Sequence, residues 1–155
     1  MKFAYLRKLA FGVILTAAVC CCAWAQSENT PQTGAPAPGT YQPKFPGDPA
    51  HSDSEAVALA YVRTVIRAQK VYDKKNDKYA TSLTDLVHTG NFTTRMVNTD
   101  RGDYTAKFHS KKDGYEITVI PKQEDANHRS FYANEDGVIR ADETKTADES
   151  SPKLK

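Results

Sequence analysis

Tyr104-Thr105-Ala106-Lys107-Phe108-His109-Ser110-Lys111-Lys112-Asp113-Gly114-Tyr115-Glu116-Ile117-Thr118-Val119-Ile120-Pro121 is the stretch that decides the fold class. Tyr104, Ala106 and Phe108 alternate with Thr105, Lys107 and His109, and Tyr115, Ile117 and Val119 alternate with Glu116, Thr118 and Ile120. A period of two sends one set of side chains to a buried face and the other toward water. Ser110 to Gly114 reads as a turn, and Pro121, which has no backbone donor, closes the second strand.

Downstream, Arg129 to Ala133 predicts a third strand. Asn134-Glu135-Asp136-Gly137 is a tight hairpin turn, because Gly137 can take positive φ, and Val138-Ile139-Arg140 returns. Upstream the period changes. Ser52-Asp53-Ser54-Glu55 is a capping box, a side-chain oxygen and a reaching carboxylate that satisfy orphan amides. After it Ala58, Val62, Val65, Gln69 and Tyr72 recur at spacings of three and four, and Leu59, Tyr61 and Ile66 widen that stripe. Gln69 is its one polar member, while Arg63, Arg67, Lys70 and Lys74 fall largely on other faces. These spacings predict an amphipathic helix of roughly 20 residues, ending near Lys75-Asn76-Asp77. Ser82-Leu83-Thr84-Asp85 predicts a second, short helix from Thr81 or Ser82, with Leu83, Leu86 and Val87 as its apolar contacts and Gly90 as its stop. The expected fold is α+β: one long amphipathic helix and a short helix packed on a three- to four-stranded antiparallel meander. The tyrosines and phenylalanines suit such a core, whereas tyrosines left exposed on the outer sheet face would mark a binding surface.

The flanks are of different character. Lys2, Arg7 and Lys8 precede the mostly apolar, uncharged run Leu9 to Cys22, and Ala23-Trp24-Ala25 supplies a small-x-small cleavage pattern. Residues 1–25 therefore read as a secretory signal peptide with Ala23 and Ala25 as the cleavage determinants. Two alternatives stand beside cleavage: a lipoprotein acylated at Cys20, Cys21 or Cys22, and a retained N-terminal anchor. Residues 26–52 hold six prolines and three glycines, among them Pro31, Pro36, Pro38 and Gly34, and read as an extended, semi-rigid linker. The foldable domain spans 53–141. Residues 142–155 are charged and poor in apolar side chains, the composition of a disordered tail.

Charge and cysteine content narrow the function classes. The chain carries 21 bases and 19 acids, and removing the three bases of the leader leaves 18 against 19. A near-neutral remainder argues against a nucleic-acid footprint, which needs a clustered basic face. All three cysteines lie in the leader, so a chain cut after Ala25 has no disulfide, thiolate metal site or cysteine nucleophile.

Three segments resemble the soluble headgroups of type IV pilins and type II secretion pseudopilins. They are the helical run Ala60 to Tyr72, the following Tyr79-Ala80-Thr81-Ser82-Leu83-Thr84-Asp85-Leu86, and the hairpin Arg129 to Arg140. Together they cover roughly residues 55–141. The prepilin leader of those families is absent: Gly12 is followed by Val13, and no glutamate lies nearby. The resemblance implies a headgroup fold without implying entry into a fibre.

Candidate chemical sites are sparse. His51, His88, His109 and His128 have no metal-ligand spacing, and no catalytic fingerprint is present. Asn134 and Asp136 are weak calcium candidates, since some pseudopilin headgroups bind calcium near their C-terminal loops, but the full EF-hand pattern is absent and a hairpin turn explains the same residues. Asp100 and Asp103 are further loop oxygens. Arg101-Gly102-Asp103 matches an adhesion tripeptide and Asn91-Phe92-Thr93 a glycosylation sequon. No catalytic residue, cofactor or firm metal site is assigned. The expectation is an exported, non-enzymatic structural or interaction module, in the periplasm, cell envelope or outside the cell. It would work with a protein partner of the envelope or of a secretion or pilus machinery, and touch the membrane only through an uncleaved or lipidated N-terminus. The rivals are a cell-envelope binding protein for a small ligand, peptide or calcium ion, and a small histidine-based hydrolase.

Overall fold

Ser52 caps the long helix in the expected way: its hydroxyl accepts from the Glu55 N–H at 3.1 Å, and its own backbone is extended. The computed structural model describes residues 41–123 and 128–155, all within the unit Pro36–Lys155. Helix α1 runs Asp53–Asn76 and ends where Asp77 turns left-handed at φ 53°. The leader, its cleavage determinants Ala23 and Ala25, the cysteines and linker residues 26–40 lie outside the described residues.

The fold is α+β, with one α-helix against a five-stranded antiparallel sheet in the order β1-β2-β3-β4-β5. The strands are β1 (Asp100–Arg101), β2 (Tyr104–Lys111), β3 (Gly114–Pro121), β4 (Ser130–Asn134) and β5 (Arg140–Asp142). Register sets Ala106 opposite Val119, Phe108 opposite Ile117, and Val119 opposite Phe131. One sheet face is thus apolar and meets Leu59, Val62, Val65 and Ile66 of α1 in a shared core. Tyr104 and Tyr115 are fully buried there, and the Phe108 and Tyr115 rings stack at 6.1 Å. The fifth strand departs from the expected three or four. It is the two-residue β1, too short to carry a period.

Three further expectations are corrected. Residues 81–90 do not form a second α-helix. The capping pattern is present, with Ser82 N–H donating to Asp85 and Asp85 N–H to Ser82 Oγ, but the chain continues as turns with i to i+3 bonds from Leu86, Val87 and Thr89. A helix this short gains too few backbone bonds to offset nucleation, and turns suffice to bury Leu83 and Leu86. A separate 3₁₀ turn covers Thr94–Val97.

Residues 41–52 are not linker. Tyr41 donates to Asp48 at 2.6 Å, Asp48 accepts from the backbone of Lys44 and Ala50, and Ala50 is buried in the core.

Residues 142–155 are not a loose tail. After β5 the chain crosses the outer face of β4, where Ser130 Oγ donates to the Lys145 carbonyl and accepts from Ala147 N–H. It then returns antiparallel to β5: Ala141 N–H donates to Pro152 and Leu154 N–H to Ile139. This segment explains why all five β4 residues are buried, and it covers a sheet edge that would otherwise be open. Its ordering comes from backbone bonds and small buried groups, Ala147 and Ser151, which an apolar-content criterion does not register.

Candidate functional site

The histidines sit on four separate parts of the chain. His51 is exposed just before α1, and its backbone N–H donates to Glu55. His88 is exposed in the turns at φ 70°. His109 lies on the outer sheet face opposite Glu116. His128 is half-buried, its ring edge-on to Tyr104 at 5.9 Å. Among the described residues no group of three His, Cys, Asp or Glu side chains could hold a metal ion.

The weak calcium candidates are occupied by the hairpin itself. Asn134 Oδ1 accepts from the Asp136 N–H, while Asp136 accepts from the Val138 N–H and from Arg140 at 2.7 Å. The Arg140 hydrogen bond holds the Asp136 carboxyl below its ordinary range. Asp100 likewise faces Lys122 at 2.9 Å, and the Lys122 hydrogen bond lowers its pKa. The adhesion-like tripeptide is a turn whose arginine is engaged. Arg101 lies over the Tyr61 ring at 4.0 Å and donates to the carbonyls of Met96 and Asn98. In the sequon, Asn91 is exposed and Phe92 buried.

The outer sheet face is closed over β4 and open over β2, where Lys107 and His109 are exposed. Lys111 reaches Glu116 at 2.9 Å, and the Tyr132 hydroxyl points to the same carboxylate at 3.4 Å. Beyond them residues 143–155 cover β4. No described tyrosine is exposed, so the sheet presents no tyrosine-lined surface. A cavity of about 560 Å³ near the chain end has walls of both signs, Arg129, Lys153 and Lys155 with Asp142 and Glu143. Arg129 is tied there to buried Glu55 at 2.8 Å.

The solvent face of α1 is different. Arg63, Arg67, Lys70 and Lys74 fall at spacings of four, three and four, so they form one stripe on a helix of 3.6 residues per turn. None of them is in an ion pair among the described residues. Val57 and Val71 lie beside the stripe at 49% and 44% exposure, and Phe45, 48% exposed, lies under the Arg63 guanidinium at 5.7 Å. These are the large hydrophobic side chains left exposed among the described residues. Two depressions run along this face. One, about 350 Å³, separates the Phe45 segment from α1 and is floored by Ala56, Ala60, Tyr61 and Met96. The other, about 370 Å³, lies between Arg67, Lys70, Val71 and Gly90. Thr64 borders both. Asp48 lines the first, but its oxygens already accept from Tyr41, Lys44 and Ala50.

The near-neutral total charge therefore conceals a locally basic face. The spacing of its four cations was present in the sequence. The placement of Phe45 and Arg101 beside them was not, since both depend on loops folding back onto the helix. No protein-family model, curated protein or solved structure matches this chain.

Proposed function

We propose that this chain is an exported, non-enzymatic interaction module of the pilin-headgroup kind, which engages a protein partner through the solvent face of α1. One observation carries the reading: Phe45, Val57 and Val71 all border that single helix face. Val57 and Val71 stand about 21 Å apart along α1 and border separate depressions, so this face offers two apolar points beside the cationic stripe, which suits a partner lying along the helix. On the competing surface, the outer sheet face, the chain's own C-terminal residues cover β4, and the open part over β2 exposes the polar side chains Lys107 and His109. The element order, helix first and a closing antiparallel hairpin last, is compatible with the resemblance to pilin and pseudopilin headgroups.

Photo-crosslinking in the producing host tests this. A benzophenone side chain placed at Val57 or Val71 should give discrete protein adducts, and one at Lys112 in the exposed β2–β3 turn should not. Adducts at Lys112 with none on the helix would overturn the assignment. Intact mass of the same protein tests export. A start at Gln26 is expected from cleavage after Ala25, a diacylglyceryl mass would mean lipidation, and an uncut chain an anchor.

A further inference from the structure

Resting on that reading, we propose the chemistry of the partner: an acidic polypeptide segment that carries an apolar or aromatic anchor. Charge complementarity selects the acid. Arg63, Arg67, Lys70 and Lys74 span about 16 Å of helix at a rise of 1.5 Å per residue, and no carboxylate among the described residues pairs with them. The carboxylates near this face are engaged elsewhere. Asp48 serves Tyr41 and the loop backbone, with Arg63 as a weaker, more distant charge, and Asp53 lies 3.8 Å from Lys44. Asp73 lies toward Tyr79, whose pKa is raised by burial and then by that charge. A solvated helix face ordinarily mixes both signs, and one that holds a single sign beside apolar side chains favours an oppositely charged partner.

Shape selects the anchor. The depression between Phe45 and α1 is a concave slot of about 350 Å³ with an apolar floor. A side chain enters such a slot, while a flat bilayer surface passes over it. Its lining holds Lys44, Arg63 and Arg101 against the single carboxylate of Asp48, so cations outnumber acids in the slot wall. Single-stranded nucleic acid is disfavoured by the absence of exposed stacking aromatics other than Phe45 among the described residues.

The test uses the full chain as isolated from its host, titrated with the acidic copolymer poly(Glu,Tyr) and, in parallel, with poly(Glu), anionic phospholipid vesicles and a 20-base-pair DNA duplex. Poly(Glu,Tyr) should bind most tightly. The quadruple variant R63Q/R67Q/K70Q/K74Q should lose about tenfold in affinity, the size expected from several exposed charge pairs acting together. Val57→Ser with Val71→Ser should weaken poly(Glu,Tyr) more than poly(Glu). Five of the six positions are exposed and Arg63 is half-buried over Phe45, so thermal melts of both variants check that folding is retained. Equal binding of the two polymers overturns the anchor. Tighter binding to vesicles or DNA overturns the polypeptide. Failure of both polymers while crosslinks at Val57 persist overturns the acidic chemistry and leaves the interaction face standing, whereas loss of the crosslinks as well removes both.

Discussion

Glu55 in the first turn of α1 and Arg129 just before β4 form a buried ion pair across 74 positions of sequence, with Nη2 to Oε2 at 2.8 Å. Arg129 also donates from its Nε and backbone N–H to Oε1, and its Nη2 reaches the Pro49 carbonyl at 2.6 Å. With His51 N–H on Oε2, the carboxylate accepts from two backbone N–H groups and from two nitrogens of one guanidinium. One side chain thereby joins the helix start, the segment before it and the entry to β4. Glu55, expected to close a capping box at Ser52, accepts from the His51 N–H instead and takes on a tertiary role.

Breaking this pair should be costly. Glu55→Ala leaves the buried Arg129 guanidinium without its counter-charge and its backbone N–H without an acceptor, and should destabilise the fold by about 3–5 kcal/mol in denaturant unfolding. Glu55→Met with Arg129→Met should recover part of that loss, because two apolar side chains avoid the desolvation of two charges. Full additivity of the two single substitutions would show that the pair is not coupled.

Acid should weaken the protein through the same group. Burial alone would raise the Glu55 pKa, but the hydrogen bonds from Arg129 and His51 outweigh it and hold the carboxyl below its ordinary value. The unfolded chain, with glutamate near about 4.3, then binds more protons than the folded one. The stabilisation is complete above that pH and is lost as pH falls through the lower folded value. Stability measured by urea titration should decline below about pH 4.5, and more gently in Glu55→Gln. An unchanged slope in that variant would remove Glu55 from the account.

Gln69 makes a second prediction of structural kind. It is fully buried, accepting from Ala80 N–H at 2.9 Å and donating to the Ala80 carbonyl at 3.2 Å. The amide thus stands in for a backbone partner at the loop that follows α1. Gln69→Leu nearly keeps the volume and orphans both groups, so it should cost about 2–4 kcal/mol. Amide exchange at Ala80 should accelerate in step with that loss.

Truncation after Asp142 tests the C-terminal segment. It removes the Lys145 and Ala147 partners of Ser130 Oγ and the Pro152 partner of the Ala141 N–H, exposes the β5 edge and deletes the Leu154 contact with the core. Stability should fall by at least about 2 kcal/mol, with faster exchange in β5 and concentration-dependent association through the open edge. A truncated chain with the parent's melting temperature and monomeric state would return these residues to the status of a loose tail.

The sequence by itself determined what depends on neighbours a few positions apart. The Ser52 cap, the helix stripe, the β2–β3 alternation and the Asn134–Gly137 turn are local patterns, because periodicity and turn chemistry act within one element. The α+β class follows from them, and so does the spacing of the four helix cations. Tertiary structure decided whatever joins distant positions. It placed Arg129 on Glu55, Ala80 on Gln69, Phe45 beside Arg63 and residues 143–155 over β4. It also left residues 81–90 as turns, since burial of Leu83 and Leu86 was satisfied without a helix. The physical reason is shared: a long-range contact is chosen by the shape and polarity of the assembled surface, and neither is encoded in the spacing of any single segment.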